Sequence, residues 1–322
     1  MRTAIISDIH GNYPALMKVL EDARAERVDK FIFLGDYSVY DFPYPNEVAR
    51  ELMKMENTYI IRGNKEEYMK NLRGNGSLDE INDDRWAGLY ISIRELTLES
   101  YDYLHGLEDE MYIQLSPNAL VYAKHISPLC EDPLTEKYLP YKFCNNAIYR
   151  QAMLEKPFTH EEFLADYQNF INSDICLPYI QSIDANIIMY AHNHIQMYAY
   201  CGDKLIINPG SCGMPADGNN KAAYTILEVT SNGFNVIEKR VEYDIEAVIA
   251  YSRSSTMYKK ADKVINELNI LDLWSGLNNF QLLTDIIREI AATKNEEYDG
   301  RLGCSDAIWY EAGERFIAKY GV

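Results

Sequence analysis

The chain of 322 residues lacks the features of several common protein classes. Its six cysteines form no CxxC pair, and their spacing suggests neither a zinc knuckle nor a disulfide framework. No apolar run approaches the ~20 residues that a membrane helix needs, and no signal-like segment opens the sequence. Positive charge is scarce, and the net charge is −18. This charge argues against binding to nucleic-acid polymers or anionic membranes. We therefore expect a cytoplasmic protein with reduced thiols and no membrane association.

What is present is an alternation of apolar runs and helical patterns at the start of the chain. The runs TAIIS, KFIFLGD and TYIIRGN are separated by segments with apolar residues at helical spacing. This pattern predicts parallel strands joined by right-handed crossovers. Asp8, Asp36 and Asn64 end the three runs at equal intervals, which places them at the C-terminal edge of the predicted sheet, where α/β folds bind ligands.

The remaining chain predicts one main domain with two helical additions. Residues 84–107 have a helical pattern, and a hairpin follows whose second strand ends at His125. The stretch 126–183, with its proline breaks and helical segments, is expected to be an insertion between sheet strands. Residues 1–243 would form the main domain, and residues 244–322 would form a helical C-terminal extension packed on the core.

Polar side chains recur at the strand ends in the order D-x-H, G-D, G-N, H and H-x-H. They are Asp8, His10, Asp36, Asn64, His125, His192 and His194. Oxygen and imidazole ligands without thiolate suit Mn²⁺, Fe or Zn²⁺. Seven ligands are too many for one tetrahedral ion and suit two ions that share a carboxylate. The sequence therefore predicts two divalent metal ions at this edge.

This ordered set resembles the calcineurin-like metallophosphoesterase superfamily. The stretches SDIHGNYPAL, LGDYSVYDFPYPNEV and INPGS are similar to its compact bacterial and archaeal phosphodiesterase branch. The resemblance covers roughly residues 1–240, interrupted by the insertion. It implies an α/β fold, a four-layer α/β/β/α sandwich with the metals at its edge.

The resemblance also implies a ligand set. One metal would be held by Asp8, His10, Asp36 and His194, and the second by Asp36, Asn64, His125 and His192. Asp36 would bridge the two ions, and a hydroxide between them would attack phosphorus in line. Catalytic contributions would come from Asp36, Asn64, His125 and the residue at position 65.

Lys65 departs from the family pattern G-N-H-[DE], because it stands where the histidine is usual. Three interpretations stay open for it: a solvated residue of the first helical turn, a clamp for substrate phosphate, or a general acid whose pKa two nearby cations would lower. We rank the clamp above the acid. Glu66, in the acidic position of the motif, is expected to support the site from behind.

Other polar and aromatic residues carry weaker expectations. Asn12 would cap a helix or face the phosphate, and capping is preferred. His105 and His160 are expected to be structural or surface residues. The aromatic side chains of the insertion would either stack on a nucleotide base or dock the insertion on the core. They are Tyr138, Tyr141, Phe143 and Tyr149.

The main functional prediction is a phosphodiesterase or nucleotide pyrophosphohydrolase that acts on a small phosphate-containing substrate, with nucleotides among the candidates. The absence of the usual histidine at position 65 favours diesters and polyphosphates, which have better leaving groups. A phosphomonoesterase or protein phosphatase is the alternative, and a non-catalytic sensor of a phosphate ligand is a second one. Homo-oligomer formation stays open.

Overall fold

The protein alternates strands and helices in its first half and ends in helices. The computed structural model describes residues 1–38, 41–74, 85, 87–127, 141–298 and 303–322. The strands are β1 (Arg2–Ile6), β2 (Lys30–Phe33), β3 (Thr58–Ile60), β4 (Glu110–Ser116), β5 (Ala119–Lys124), β6 (Ile187–Met189), β7 (Gln196–Cys201), β8 (Lys204–Pro209), β9 (Ala222–Thr230) and β10 (Gly233–Val241). The helices before β4 are α1 (Tyr13–Ala25), α2 (Pro45–Lys54), α3 (Asn64–Gly74), α4 (Ala87–Glu95) and α5 (Leu98–His105). The later helices are α6 (Asn146–Glu155), α7 (His160–Ile171), α8 (Leu177–Ser182), α9 (Ile245–Ser254), α10 (Thr256–Lys260), α11 (Lys263–Ser275), α12 (Phe280–Lys294) and α13 (Asp306–Tyr320).

The first sheet has the strand order β10-β9-β1-β2-β3. β1 pairs in parallel with β2, and β2 pairs in parallel with β3, as the alternating pattern predicted. Ile5 lies opposite Ile32, and Ile32 lies opposite Tyr59. The carboxyl ends of these three strands therefore meet at one edge.

The second sheet has the strand order β4-β5-β6-β8-β7. β4 and β5 form the predicted antiparallel hairpin, whereas β5, β6 and β8 run in parallel. Val121 lies opposite Ile187, and Ile187 lies opposite Leu205. The ends of β5 and β6 therefore also reach a common edge.

The two sheets pack face to face through a layer of buried aliphatic side chains that includes Ile5, Ile32, Val121 and Ile187. Each sheet is covered on its outer face by helices. α1 and α2 cover the first sheet, with Leu16 fully buried against it. These layers form the predicted α/β/β/α sandwich.

The insertion supplies the outer helical layer of the second sheet. Phe163 and Tyr167 of α7 are buried in the same cluster as Ile188 of β6 and Met197 of β7. The C-terminal extension forms a further cluster of its own, and Leu273 of α11 packs in a second one with a residue of the main domain. Among the helices of the described ranges, none has the length and apolar character needed to cross a membrane.

Candidate metal centre

The strand ends of both sheets bring the predicted ligands together. Asp8 follows β1, Asp36 follows β2 and Asn64 follows β3, whereas His125 follows β5 of the other sheet. The loop after β6 adds two more imidazoles. The seven side chains at this edge are Asp8, His10, Asp36, Asn64, His125, His192 and His194. Sequence analysis named the same seven, and the fold explains their convergence because parallel strands end at a common edge.

The side chains fall into two groups with metal-binding geometry. In the first group, ligand atoms of Asp8, His10 and His194 all lie within 4.8 Å of one another. The Nε2 atoms of His10 and His194 are 3.0 Å apart, which is the approach of two ligands toward one point.

The second group consists of Asp36, His125 and His192, whose ligand atoms satisfy the same 4.8 Å criterion. Asn64 Oδ1 adds a neutral oxygen donor, 3.1 Å from His125 Nε2 and 2.8 Å from His192 Nδ1. The mixed carboxylate, amide and imidazole donors fit a divalent ion such as Mn²⁺, Fe²⁺ or Zn²⁺.

The carboxylate of Asp36 faces both groups. Its Oδ2 atom lies 3.9 Å from His10 Nε2, and its Oδ1 atom lies 3.5 Å from His125 Nε2. Only 2% of Asp36 is exposed, and its Oδ1 atom also accepts a hydrogen bond from the backbone nitrogen of Lys65 at 2.9 Å. One buried carboxylate thus presents a different oxygen to each group.

The backbone of this edge is strained. Eight non-glycine residues of the described ranges have positive φ, and five of them are candidate ligands. These five are Asp8, His10, Asp36, His192 and His194. Left-handed backbone is rare for non-glycine residues and concentrates at functional sites. The left-handed backbone at these five residues turns each side chain toward the other candidate ligands.

Glycine is required where two of these loops touch. A Cβ on Gly63 would overlap the Asp36 carboxylate, and a Cβ on Gly35 would approach the Gly63 nitrogen to 2.5 Å. Gly35 also has a φ of 103°, which side-chain-bearing residues rarely adopt. The glycines of the G-D and G-N motifs therefore allow the ends of β2 and β3 to approach each other.

Hydrogen bonds to the Nδ1 atoms orient three of the histidines. His10 Nδ1 donates to Asp41 Oδ2 at 2.5 Å, and His125 Nδ1 donates to the Leu34 carbonyl at 2.5 Å. His194 Nδ1 donates to the Met214 carbonyl at 2.7 Å. In each case Nε2 is left facing the site, which is how outer partners fix the tautomer of a metal-binding imidazole.

The electrostatics of the site suit a divalent cation. Asp8 Oδ1 is buried, and no donor of the described residues hydrogen-bonds it. Burial raises the pKa of Asp8, but His194 and His10 outweigh burial and lower this pKa well below its usual value. Burial likewise opposes a charged His10, but Asp41 and the ligand carboxylates raise its pKa to about 10. A buried, ionised carboxylate with an oxygen that accepts no hydrogen bond from the described residues is a suitable donor for a divalent ion, so the residues fit a metal.

Glu66 supports the site from below. Its buried carboxylate accepts hydrogen bonds from the backbone nitrogens of Asp36 at 3.0 Å, Tyr37 at 2.9 Å and Gly63 at 2.8 Å. These bonds tie the loop after β2 to the loop after β3. Glu66 therefore holds the backbone that carries Asp36 rather than contacting Asn64 itself.

Lys65 lies against the site, and its side chain is only 18% exposed. Its Nζ atom is 3.7 Å from Asp41 Oδ2, the carboxylate that also binds His10. The low exposure of Lys65 and its ion pair with Asp41 favour a role at the site over a solvated surface residue. Sequence analysis missed Asp41, and its only signal was an acidic residue shortly after the G-D motif.

The remaining expectations have mixed outcomes. The side chain of Asn12 accepts from the Ala15 nitrogen, so it caps α1 as preferred. Of the aromatic residues of the insertion, Phe143 and Tyr149 are buried against the second sheet, which is docking, and Tyr138 lies outside the described residues. The exposed His160 Nε2 is 2.7 Å from Glu238, as expected for a surface histidine.

Comparisons with known proteins agree with this architecture. A family model for calcineurin-like phosphoesterases matches residues 1–196. An uncharacterized protein of Methanocaldococcus jannaschii is 27% identical over 243 residues, which cover 76% of this chain and 88% of that protein. The crystal structure of a metallophosphoesterase from Sphaerobacter thermophilus has a TM-score of 0.59 at 24% identity and covers 86% of this chain and 99% of its own.

A hypothetical protein from Pyrococcus horikoshii OT3 is similar in fold, with a TM-score of 0.60 at 20% identity, covering 85% of this chain and 98% of its own. These structural likenesses bear on the fold. The family model matches more than half of the sequence, and on that ground the chain belongs to the calcineurin-like phosphoesterases. It is accordingly a metal-dependent phosphoric ester hydrolase.

Proposed function

We propose that the protein is a dinuclear phosphodiesterase or nucleotide pyrophosphohydrolase of the cytoplasm. The observation that carries the proposal is the pair of ligand groups with the Asp36 carboxylate facing both of them. Two sites that share a carboxylate are the arrangement of two-metal phosphoesterases. We further propose that residues 1–243 carry this site and that residues 244–322 are a separate helical extension packed on them.

The ligand assignment follows from the two groups. Asp8, His10 and His194 would hold one ion together with Asp36. His125, His192 and Asn64 would hold the other, again with Asp36. When bound, the two ions supply an activated water and offset the negative charge that grows on the phosphoryl oxygens.

The chain's own residues bind and orient the substrate. Lys65 Nζ lies 3.7 Å from Asp41 Oδ2, and Asp41 binds His10 of the first ligand group. A lysine in this position offers a point charge for a phosphoryl oxygen. The Asp41 carboxylate fixes the position of the ammonium group, as a phosphate clamp requires. Lys65 therefore binds phosphate and leaves protonation of the leaving group to solvent.

A site without a strong general acid favours esters whose leaving group departs easily. Lys65 occupies the position at which the resemblance places a histidine acid. Diesters and polyphosphates then react faster than alkyl monoesters, because their leaving groups need less protonation. Dinucleoside polyphosphates, cyclic nucleotides and other small nucleotide diesters are the candidate substrates.

Hydrolysis of bis(p-nitrophenyl) phosphate and p-nitrophenyl phosphate, each with and without Mn²⁺, tests the proposal. We expect manganese-stimulated turnover with a higher kcat/KM for the diester. A panel of nucleotide diesters and polyphosphates then identifies the substrate class. A higher kcat/KM for the monoester would contradict the diesterase proposal, and no stimulated turnover of any probe would contradict the function altogether.

A further inference from the structure

His192 is held differently from the other candidate histidine ligands. It presents Nδ1 to the second ligand group, 2.8 Å from Asn64 Oδ1, so its outer nitrogen is Nε2. Within the described ranges no side chain or carbonyl forms a hydrogen bond with this Nε2 atom, whereas each of the other three imidazoles has an outer partner. The orientation of the His192 ring therefore depends on the loop that carries it.

Asn208 holds the start of this loop. This fully buried asparagine belongs to the INPGS stretch, and its Nδ2 atom donates to the Ala191 carbonyl at 3.1 Å and to Asn193 Oδ1 at 2.7 Å. Ala191 directly precedes His192, whose φ of 73° is left-handed. A left-handed non-glycine residue persists only where its surroundings fix the backbone. The bonds on either side of His192 supply that fixation.

Asn193 connects the loop to the insertion. It lies between His192 and His194 in the chain and is 7% exposed. Its Oδ1 atom also accepts from the Ile195 backbone nitrogen at 3.2 Å, and its Nδ2 atom donates to the Phe143 carbonyl at 2.7 Å. The amide oxygen is thus used within the core, and the amide nitrogen is used on the insertion.

The Phe143 carbonyl is fixed by the aromatic packing of its own ring. The ring centroid lies 5.4 Å from that of Phe163, 5.4 Å from that of Tyr167 and 4.9 Å from that of Phe170, all in α7. Phe143 is itself buried. The helical layer of the insertion therefore provides a fixed acceptor for Asn193.

A small cavity places the same aromatic side chains beside His192. Its volume is about 10 Å³, and its walls include Phe143, Tyr167, Phe170, His192 and Asn193. This volume takes about one water molecule. The insertion therefore contributes to the immediate surroundings of His192 as well as to the fixation of its loop.

His194 does not depend on the insertion in the same way. Its Nδ1 atom donates to the Met214 carbonyl at 2.7 Å, and its own carbonyl accepts from the Ala216 nitrogen at 3.1 Å. Both partners lie in the loop after β8, in the core. Loss of the contact between Asn193 and the insertion would consequently release His192, while His194 keeps its orientation.

We propose that Asn193 is a positioning residue for the second metal ion, and that through it the insertion sets the affinity for this ion. The proposal rests on the proposed two-ion phosphoesterase function and adds a means of regulating the same site. The bond from Asn193 to the Phe143 carbonyl holds the loop so that His192 Nδ1 faces the second ion. The ligands of the first ion have separate support, so movement of the insertion changes the occupancy of the second site alone.

Calorimetric titration of the metal-free chain with Mn²⁺ tests this assignment. The wild type should bind two ions. In Asn193→Ala we expect the affinity for one ion to fall by about 10- to 100-fold, as is typical when an outer partner is removed, and the affinity for the other to stay nearly unchanged. Electron paramagnetic resonance should then show isolated Mn²⁺ in the variant at a metal concentration that gives a spin-coupled pair in the wild type.

The matched control is Asn186→Ala, at the opposite end of β6. The Asn186 side chain likewise donates to a backbone carbonyl, that of Asn118 at 2.7 Å, and accepts from a backbone nitrogen, that of Leu120 at 2.8 Å. This control should bind both ions as the wild type does. Two unchanged affinities in Asn193→Ala would overturn the assignment. Equal weakening of both ions would do so too, because it identifies a purely structural role.

Ligand variants identify which ion is affected. His194→Ala leaves the second site to be measured alone, and His192→Ala leaves the first. Adding Asn193→Ala should weaken the remaining ion in the His194→Ala background and leave it unaffected in the His192→Ala background. The opposite pattern would contradict the role of Asn193 at the second site.

A second variant decides the matter if Asn193→Ala shows no cooperative unfolding transition. Phe143→Leu leaves the loop itself intact and loosens the packing that fixes the carbonyl. Weaker binding of the second ion in this variant would support the proposal, and unchanged binding of both ions would overturn it.

Binding and turnover separate this proposal from the proposed function. If the wild type binds two ions but hydrolyses no phosphate ester, the proposed function fails, and the titrations still decide the role of Asn193. If the wild type turns over substrate and Asn193→Ala binds both ions equally well, only the positioning role fails. A wild type that binds a single ion would overturn both.

Discussion

Asp36 is the residue on which a shared two-ion site depends. Its two oxygens face different ligand groups, so Asp36→Ala removes a donor from both. We expect manganese-stimulated hydrolysis of bis(p-nitrophenyl) phosphate to fall to background and bound metal, measured by plasma mass spectrometry, to fall below two ions per chain. Asp203→Ala, in the exposed turn between β7 and β8, is the control. Retained activity in Asp36→Ala would remove the two-ion assignment.

Kinetics of a Lys65 variant can distinguish a phosphate clamp from a general acid. Because Nζ lies 3.7 Å from Asp41 beside the first ligand group, Lys65→Ala should raise KM several-fold and leave kcat nearly unchanged. The measurement is steady-state kinetics on aryl diesters whose leaving groups differ in pKa. A loss of kcat that shrinks as the leaving group improves would show that Lys65 is the general acid instead.

Asp41 acts on the metal through His10. The short bond to Nδ1 orients the imidazole and raises its basicity, so Asp41→Asn should weaken Mn²⁺ binding by about 10- to 100-fold. Calorimetric titration of the metal-free protein with Mn²⁺ measures this change. Asp203→Asn should leave the affinity unaltered, and an unaltered affinity in Asp41→Asn would exclude the positioning role.

At the scale of elements, the strand ends can be predicted from the sequence because the patterns that mark strands and helices are local in the chain. Buried runs mark β1, β2 and β3, and the polar residue after each run must lie at the same sheet edge. Asp41 could not be found in this way. Its role depends on a contact between segments far apart in the chain, that of its carboxylate with His10 Nδ1, and no local pattern encodes such a contact.

Helix α11 carries a buried acid that makes stability depend on pH. Burial raises the pKa of Asp272 to about 7, while Asn279 and Arg150 lower it and Asp41 raises it. The folded state thus keeps a proton that the unfolded chain releases near pH 4, so the contribution of Asp272 to stability is largest below about pH 4 and is lost as pH rises to about 7. The expected loss is up to about 4 kcal/mol between pH 4 and pH 7.

Asp272→Asn isolates this contribution, because asparagine keeps an oxygen acceptor for Asn279 and carries no charge. Urea unfolding from pH 4 to pH 8 should show a stability difference, wild type minus variant, that decreases with pH and levels off above about 7. Asp285→Asn, an exposed acid of α12, is the control. A difference that does not vary with pH would contradict the raised pKa.

At the scale of the molecule, the sequence indicated two additions without showing how they relate to the core. The insertion turns out to be the outer layer of the second sheet, since Phe163 and Tyr167 cover Ile188 and Met197. Aromatic and aliphatic residues occur both in helices that form a layer of a fold and in helical hairpins that dock on its surface. Composition alone therefore does not distinguish the two arrangements. The extension likewise connects to the catalytic edge through one cluster that contains Phe42.

That cluster predicts that core and extension unfold together. Leu273 is fully buried with Phe42, whose backbone N–H donates to the His10 carbonyl at 3.0 Å. Leu273→Ala should therefore destabilise the protein by about 2–5 kcal/mol, whereas Leu154→Ala, at a position 61% exposed, should change little. Far-UV circular dichroism reports the whole chain, and tryptophan fluorescence, measured in a Trp86→Phe background, reports Trp274 and Trp309 of the extension. Coincident urea transitions in both variants are expected, and an earlier fluorescence transition in Leu273→Ala would show that the extension unfolds independently of the catalytic core.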